Sequence, residues 1–321
     1  MKPWVTLALS FLALAVVTGG GAPLEDKPHR SGQAANTPEQ FLQRAQSLAA
    51  GNRWAEAEPL ARRYLEAKPE SADGHALLAL VLFKQQKPRE SMAEYVETAK
   101  LRDLTASELK NFALSCALLR MFADAEKWLT RSLEMNPDDA KGWEARGHLK
   151  FEQQHYADGI RDFEQSLRLA PKTVSAQTGI GLSYELLSHL DEAVAAYKTA
   201  ISWQPAGPGE DPAPLHGLGR VLLKQNKPAE ALSYLRRAVV AGPDNAQAHE
   251  ELAKAYSSLG QIEPAQREME RAIELAPKVA RLHFALGQLY RKAGMIEKAK
   301  VELDKYEALV GTHSTPTADV R

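Results

Sequence analysis

Apolar residues recur along this chain with the spacing of one face of an α-helix. Near the carboxyl end, Leu286 and Tyr290 stand four residues apart on one stripe, and Ala299, Leu303 and Tyr306 fall at i, i+4 and i+7 on a second stripe. Each stripe predicts a helix, and the short interval between them predicts a tight turn. The pattern therefore indicates a helical hairpin and favours an all-α protein.

The hairpin pattern returns every 34 residues, and prolines mark the interval. Pro137, Pro171 and Pro205 are 34 residues apart, and Pro243 and Pro277 repeat that spacing after one longer step of 38 residues. Because proline lacks an amide hydrogen and fixes φ, we expect it to follow the second helix of each unit. Counting back from the prolines gives eight units, at 38–71, 72–105, 106–139, 140–173, 174–207, 212–245, 246–279 and 280–313, with residues 208–211 as a longer loop.

Two positions carry small residues in every unit, although they played no part in setting the register. The eighth residue of each unit is Gly or Ala, and the twentieth is Ala, Gly or Ser. We expect the two helices of a unit to cross there, because small side chains let the backbones approach, while neighbours such as Tyr197 and Phe163 fill the space beside them. A bulky residue at Ala193 should overpack the crossing and cost about 1–3 kcal/mol.

This pattern resembles that of the tetratricopeptide repeat family. The residues that carry the resemblance in the fifth and fourth units are Ile180, Gly181, Tyr184, Ala193, Tyr197, Ala200 and Pro205, and Trp143, Gly147, Phe163 and Pro171. The resemblance implies a right-handed α-solenoid of eight 34-residue helix-turn-helix repeats over residues 38–313, in which the first helices line a concave groove that binds peptides or proteins. Some units depart from the family pattern, and we expect them to be less tightly packed: Arg44 and Arg146 replace leucine, and His75, His249 and His283 replace tryptophan.

The first 37 residues lack this periodicity. Lys2 precedes a mostly apolar run from Trp4 to Val17, and small residues follow at 19–22. The run suits a signal-peptide core and is shorter than the roughly 20 residues that a membrane-spanning helix needs. We predict a signal peptide at 1–22, cleaved or retained as an anchor, a flexible linker at 23–37 and a disordered tail at 314–321. These features predict export to the periplasm or cell envelope, or secretion.

Charge and cysteine content exclude several classes of function. Forty Lys and Arg stand against 41 Asp and Glu, which gives a formal charge of -1 and no global field for nucleic acid or for an anionic membrane. The single cysteine, Cys116, excludes an intramolecular disulfide and a zinc site built on several thiolates. Any partner should therefore be recognised by a local surface.

Catalytic and metal motifs are incomplete. Gly-x-Gly pairs at 179–181 and 217–219 lack a third glycine and a Gly-Lys-Ser/Thr ending, so we interpret them as packing positions inside first helices. His249 begins a His-Glu-Glu sequence, but Ala253 stands where a zinc-protease helix has its second histidine. Cys116 falls on an inner helix face and should be a buried core thiol. We predict no catalytic activity, no cofactor and no metal.

The resemblance implies that positions 2, 5, 9, 12 and 13 of each first helix face the groove. Units two to four then present Leu80, Phe83, Lys110, Leu114, His148 and Phe151, and units six to eight present Arg220, Lys224, Lys254, Arg281, Arg291 and Lys292, offset by Glu250. We predict a groove that is apolar at one end and basic at the other and that holds a peptide or protein segment with an acidic stretch or a C-terminal carboxylate. A solvated face with balanced charges is the alternative.

The predicted function is that of a non-catalytic protein-interaction scaffold or adaptor. Analogy with the family suggests envelope assembly, secretion or polysaccharide export. Two alternatives remain: an accessory subunit of an enzyme complex, such as a glycosyltransferase, and a structural homo-oligomer joined through an exposed end of the solenoid.

Overall fold

The computed structural model describes residues 37–207 and 209–311. Within these residues the protein forms sixteen α-helices and no β-strand, which confirms the all-α fold. The helices are α1 Pro38–Ala50, α2 Trp54–Ala67, α3 Ala72–Lys84, α4 Pro88–Leu101, α5 Ala106–Leu118, α6 Phe122–Met135, α7 Ala140–Glu152, α8 Tyr156–Leu169, α9 Val174–Leu186, α10 Leu190–Ser202, α11 Pro212–Lys224, α12 Pro228–Ala241, α13 Ala246–Ser258, α14 Ile262–Leu275, α15 Ala280–Lys292 and α16 Ile296–Gly311. The predicted signal peptide, nearly all of the predicted linker, Pro208 and the predicted tail lie outside the described residues.

Each of the eight sequence units forms one helical hairpin, and its first helix begins at the first residue of the unit. Side chains at the N-caps explain where most of these helices start, because they accept hydrogen bonds from backbone N–H groups that have no partner inside the helix. The capping side chains are Thr37, Ser71, Thr105, Asp139, Asp211 and Asn245. At the other end of the unit, second helices such as α6 and α8 stop two residues before Pro137 and Pro171, as the proline spacing predicts.

Small residues bring the two helices of each hairpin together. The residues at the eighth and twentieth positions are buried in all eight units. A Cβ placed on Gly181 would lie 2.7 Å from the ring of Tyr197, and one placed on Gly147 would lie 2.8 Å from the ring of Phe163. Both rings are completely buried. The prediction that small residues mark the crossing, with a large neighbour filling the space beside it, is confirmed.

A residue in the left-handed conformation closes the turn inside every hairpin. It occupies the fifteenth position of the unit, with φ between 55° and 74°, at Asn52, Gln86, Arg120, Gln154, Ser188, Asn226, Gly260 and Gly294. Only the last two are glycine, the residue that adopts this conformation without steric cost. Asparagine tolerates this conformation at two of the other six turns, and the side chains at the remaining four disfavour it.

The chain divides into two compact units after Ala170. In the first unit, a core cluster forms around Tyr95 and Leu129, and it draws residues from consecutive hairpins. In the second unit, one cluster includes Tyr197 and another includes Met269. Each unit thus buries apolar side chains between neighbouring repeats, as stacked repeats do.

The extra residues before α11 are held by the second unit. Glu210 is buried and pairs with Arg237, and Asp211 caps α11 by accepting a 2.9 Å hydrogen bond from the backbone N–H of Ala213. The insertion therefore helps to start a helix as well as lengthening a loop.

Three of the residues that depart from the family pattern, His249, His283 and Arg146, pack against polar partners, whereas Arg44 is exposed. His249 and His283 are only 7% and 4% exposed. Arg146 donates two hydrogen bonds to Asp162, at 2.8 and 2.9 Å, and so satisfies a buried carboxylate. The expectation of looser packing is therefore wrong at these positions, because polar partners replace the lost apolar contact.

Candidate functional site

In the first compact unit, the predicted apolar residues lie on α3, α5 and α7. Phe83 and Leu114 are buried, whereas Leu80 and Phe151 are half-buried. The ring of Phe151 meets that of Tyr156 edge-on, with 5.4 Å between centroids. Half of this apolar set, Phe83 and Leu114, packs inside the repeats, and Leu80 and Phe151 retain surface that another chain could cover.

Lys110 and His148, from the same predicted set, are both engaged with neighbours. Nζ of Lys110 lies 2.5 Å from Oδ2 of Asp139, whose Oδ1 caps α7. The imidazole of His148 packs edge-on against Phe163, with 4.8 Å between centroids. The lysine thus ties α5 to the start of α7, and its charge is already opposed by a carboxylate.

A cleft of about 260 Å³ opens beside Leu80, and its lining includes the amide side chains of Gln46 and Asn111. Arg102 also lines it, but its guanidinium is committed to Glu108 through hydrogen bonds of 2.9 and 2.8 Å. Neutral amides beside an apolar side chain can pair with the backbone groups of an extended peptide.

In the second compact unit, the predicted cations rest on a buried carboxylate that the sequence analysis did not single out. Glu185, on α9, accepts hydrogen bonds of 2.7 and 2.6 Å from Arg220, 2.8 Å from Nζ of Lys224 and 3.2 Å from the hydroxyl of Tyr197. Burial alone would raise the pKa of Glu185, but the bonds and charges of Arg220 and Lys224 outweigh it and hold that pKa below its ordinary value.

A second buried carboxylate supports the next two cations. Glu250, on α13, lies 2.9 Å from Nζ of Lys254 and accepts a 2.9 Å hydrogen bond from Nη2 of Arg281. Lys254 also donates a 3.3 Å hydrogen bond to the buried Glu251. Burial would raise the pKa of Glu250, yet these cations lower it overall.

The result is a layered arrangement with carboxylates beneath and cation heads above. The side chains of Lys224, Lys254 and Arg281 are 47%, 47% and 63% exposed, whereas Glu185 and Glu250 are buried. We call Lys224, Lys254 and Arg281 the cation row. Together with Arg220 the row sets four positive charges against the three glutamates Glu185, Glu250 and Glu251, so these groups have a net positive charge.

Two glutamates of this layer were missed in the sequence, and two predicted cations lie beyond it. Glu185 stands at position 12 of its first helix, one of the positions assigned to the groove, and that position could have revealed it; Glu251 follows Glu250 directly. Arg291 and Lys292 are exposed at the end of α15. They add positive charge to that helix.

The remaining candidate residues have structural roles. Cys116 is buried as predicted, and burial raises the pKa of its thiol to about 11, which keeps it protonated and unreactive. The Gly-x-Gly pairs at 179–181 and 217–219 lie inside α9 and α11, where a Cβ on Gly181, Gly217 or Gly219 would come closer than 3.0 Å to a buried side chain. Within residues 37–207 and 209–311, no group of three or more His, Cys, Asp or Glu side chains is placed to hold a metal ion.

The hairpins, their crossings and the matched sequence segments decide the family. Tetratricopeptide repeat models match residues 42–105, 144–211, 186–250 and 222–283, which together cover more than half of the chain. The chain belongs to the tetratricopeptide repeat family. Proteins built from tetratricopeptide repeats are generally non-catalytic scaffolds that bind peptides or other proteins.

Solved structures of other proteins share the fold, among them a tetratricopeptide repeat protein. One from Parabacteroides merdae matches with a TM-score of 0.61 and 19% identity, over 78% of this chain and 98% of that chain. Pseudomonas aeruginosa pilF matches with a TM-score of 0.56 and 20% identity, over 68% of this chain and 97% of that chain.

A third structural match is longer than this protein. The APC/C hetero-tetramer Cut9-Hcn1 contains a chain that matches with a TM-score of 0.59 and 16% identity, over 86% of this chain and 54% of that chain. This protein therefore spans about half the length of that relative. A search of curated proteins found no match. Within the described residues, no helix combines the length and the apolar character needed to cross a bilayer.

Proposed function

We propose that this tetratricopeptide repeat protein is a non-catalytic scaffold whose cation row binds an acidic stretch, or a C-terminal carboxylate, of a partner protein. The observation that carries the proposal is the buried pair of glutamates, Glu185 and Glu250, beneath exposed cation heads. In the first compact unit, Leu80 and Phe151 supply a separate apolar surface for a partner segment.

The buried glutamates favour binding by fixing the cations in advance. A free lysine or arginine loses side-chain entropy when a partner immobilises it, and a hydrogen bond from below means that part of this entropy is already lost before binding. Because each head remains about half exposed, it keeps N–H groups for an incoming carboxylate. A single exposed ion pair contributes only about 0.2–1 kcal/mol, so capture requires several acidic residues in one segment.

Fluorescence anisotropy with a labelled octaglutamate peptide tests this proposal, with octaglutamine as the neutral control. The informative variant is Lys224→Gln with Arg281→Gln. Glu185 then keeps Arg220, and both Glu250 and Glu251 keep Lys254, so no carboxylate of this layer is left buried without a partner. We expect this variant to bind octaglutamate roughly ten-fold more weakly at low salt. Substituting Arg220 would be less informative, because its guanidinium is largely buried on Glu185.

The matched control removes two exposed cations from second helices, Lys198→Gln on α10 with Arg236→Gln on α12. It has the same change in net charge and should bind octaglutamate nearly as well as the unmodified protein. Equal weakening in both variants would mean that the peptide responds to net charge alone, and the proposal would be wrong.

A homo-oligomeric role is the second candidate, and the last described repeat favours it. Phe284, Ile296 and Val310 are 44%, 62% and 42% exposed there, and a second copy of the chain could cover these apolar side chains. Multi-angle light scattering over a range of concentrations tests it. Association that Ile296→Lys abolishes would support an end-to-end contact, and a constant monomer mass would exclude one.

We propose that the protein is exported and acts in the periplasm or cell envelope, in assembly, secretion or polysaccharide export, where the same surface would also serve an accessory subunit of an enzyme complex. The apolar run from Trp4 to Val17 and the small residues that follow it support export. Cell fractionation with N-terminal sequencing of the mature protein tests this. A cytoplasmic protein that retains Met1 would contradict it.

A further inference from the structure

His75, on α3, has a hydrogen-bond acceptor at both ring nitrogens. Its Nδ1 lies 2.6 Å from Oε2 of Glu94 on α4, and its Nε2 lies 2.9 Å from the backbone carbonyl oxygen of Pro69, in the loop before α3. The ring therefore touches three elements at once: the preceding loop, the first helix and the second helix of its repeat.

The same arrangement occurs twice more. Nδ1 of His249 lies 2.7 Å from Oε2 of Glu268, and its Nε2 lies 3.1 Å from the carbonyl oxygen of the proline six residues earlier. Nδ1 of His283 lies 2.7 Å from Oε2 of Glu302, and its Nε2 lies 2.9 Å from the equivalent proline carbonyl. The geometry is thus a recurring motif of this chain.

The two side chains of the motif occur only together. Histidine at position 4 and glutamate at position 23 appear in units two, seven and eight, and no other unit has either residue at its position. In unit four, position 4 is Trp143, whose indole N–H donates a 2.7 Å hydrogen bond to the carbonyl oxygen of Pro137. A bond to the proline carbonyl is therefore shared by both residue types, and the histidine adds a bond to the second helix.

A neutral imidazole has only one N–H and can donate to only one of these two acceptors; the imidazolium form donates to both. When the ring is neutral, one ring nitrogen presents a lone pair to an oxygen atom that also carries lone pairs. The number of ties made by each ring consequently depends on its proton.

We propose that the pairs His75–Glu94, His249–Glu268 and His283–Glu302 are proton-dependent staples, in which the protonated ring fastens the preceding loop to both helices of its repeat and loss of the proton releases one tie. Loss of the ring proton therefore loosens the second, seventh and eighth repeats, because one of the two acceptors at each ring loses its hydrogen bond.

Other charged groups modulate the staples. Glu97, on α4, also acts on His75, and although burial lowers the pKa of His75, the bonds to Glu94 and to the Pro69 carbonyl outweigh that effect and raise it. Lys305, on α16, donates a 2.8 Å hydrogen bond to Glu302 and shares that carboxylate with His283. The staple in repeat two therefore has a second carboxylate nearby, Glu97, which Lys100 also contacts, and the staple in repeat eight shares its carboxylate with a lysine.

The staples hold two of the helices that carry the cation row. Helix α13 carries His249 and Lys254, and helix α15 carries His283 and Arg281. Looser attachment of these helices at high pH would weaken acidic-peptide binding. This consequence rests on the proposed function, whereas the staples do not. If hydrogen exchange shows the staples but octaglutamate does not bind, only the proposed function is wrong.

Hydrogen–deuterium exchange of the full chain at about pH 5.5 and about pH 8 tests the staples directly. After correction for intrinsic exchange, protection of α3, α13 and α15 should fall roughly ten-fold between the two pH values, the effect of losing one charge-assisted hydrogen bond. Helix α5 is the internal control, because the third repeat contains no histidine. A triple variant, His75→Gln, His249→Gln and His283→Gln, should lose this fall in the protection of α3, α13 and α15 between about pH 5.5 and about pH 8.

Two outcomes would overturn the proposal. In one, protection of α3, α13 and α15 changes with pH by the same factor as protection of α5; in the other, the fall in protection of α3, α13 and α15 at high pH persists in the glutamine variant. If that variant does not fold, the triple variant Glu94→Gln, Glu268→Gln and Glu302→Gln retains the rings and removes the carboxylates. In this variant we expect the fall in protection between the two pH values to be less than half of that in the unmodified protein. An equal fall would also overturn the proposal.

Discussion

Arg220 donates two hydrogen bonds to Glu185, 2.7 Å from Nε to Oε1 and 2.6 Å from Nη2 to Oε2. The carboxylate is buried, and the arginine side chain is only 12% exposed. Removing the carboxylate takes away the acceptor of both of these bonds and leaves the arginine charge in a poorly solvated place. We predict that Glu185→Gln lowers the free energy of unfolding by about 3 kcal/mol, measured by urea denaturation at neutral pH.

The control for this variant is Glu263→Gln, an exposed glutamate on α14. It should change the free energy of unfolding by less than about 0.5 kcal/mol. Because the pKa of Glu185 is lowered in the folded protein, its stabilising effect is present above the unfolded pKa of a glutamate and is lost as the pH falls through the folded value. Acidification should therefore narrow the difference between the unmodified protein and Glu185→Gln, and a constant difference would contradict this origin.

His216 should make the protein sensitive to acid at a higher pH than Glu185 does. It is buried, and burial, followed by the charge of Arg220, lowers its pKa to about 3. The unfolded chain binds a proton there below about pH 6.5 and the folded chain does not, so stability is complete above pH 6.5 and is lost as the pH falls. The expected loss is about 2 kcal/mol at pH 5.

Replacing this residue by leucine should remove that loss. The Nε2 atom of His216 has no hydrogen-bond partner among the described residues, so no bond is broken by His216→Leu. We predict that the free energy of unfolding of His216→Leu falls less between pH 7 and pH 5 than that of the unmodified protein, by about 2 kcal/mol. Parallel falls in both proteins would show that another group causes the acid sensitivity.

The helix crossing in the fifth repeat should not tolerate a methyl group. A Cβ at Gly181 would lie 2.7 Å from the buried ring of Tyr197, whereas a Cβ at Gly51 would meet only backbone oxygens at 3.5 and 3.6 Å. We predict that Gly181→Ala destabilises the protein by about 1–3 kcal/mol and that Gly51→Ala changes stability by less than about 1 kcal/mol. Thermal unfolding followed by circular dichroism compares the stability of the two variants. Equal destabilisation would contradict a close helix crossing at Gly181.

The turn inside the second repeat should gain from glycine. Gln86 has φ of 62°, in the left-handed region that a side chain disfavours. We predict that Gln86→Gly stabilises the protein by about 0.5–1 kcal/mol, measured by urea denaturation. The comparison is Asn226→Gly, at the equivalent turn with φ of 55°, where the gain should be smaller because asparagine tolerates this conformation. Destabilisation by Gln86→Gly would show that the side chain has a role of its own.

The hairpins were predictable because their determinants are local and repeated. Pro137 and Pro171 fixed the period, Gly147 and Gly181 marked the crossings, and the all-α fold followed. A single sequence contains no comparable local signal for which side chains pair between neighbouring repeats. Glu185 and Arg220 are 35 residues apart, so their contact depends on how hairpins stack.

The contacts of His75, His249 and His283 also join residues that are distant in sequence, but a comparison of the repeats could have predicted them. Histidine in place of the family's tryptophan suggested looser packing. The sequence of one helix does not show that a carboxylate on the next helix will bind the histidine ring. His249 and Glu268 are 19 residues apart on different helices. Comparing positions 4 and 23 across the eight units would have revealed the pairing, since the two residues occur only together.

The most direct test of the scaffold is to locate a bound acidic peptide on the protein. Hydrogen–deuterium exchange with and without octaglutamate reports which helices become protected. The account predicts slower exchange in α11, α13 and α15, which carry Lys224, Lys254 and Arg281, and unchanged exchange in the second helices α12 and α14. Protection confined to α12 and α14, or no protection at a peptide concentration that saturates the anisotropy signal, would contradict it.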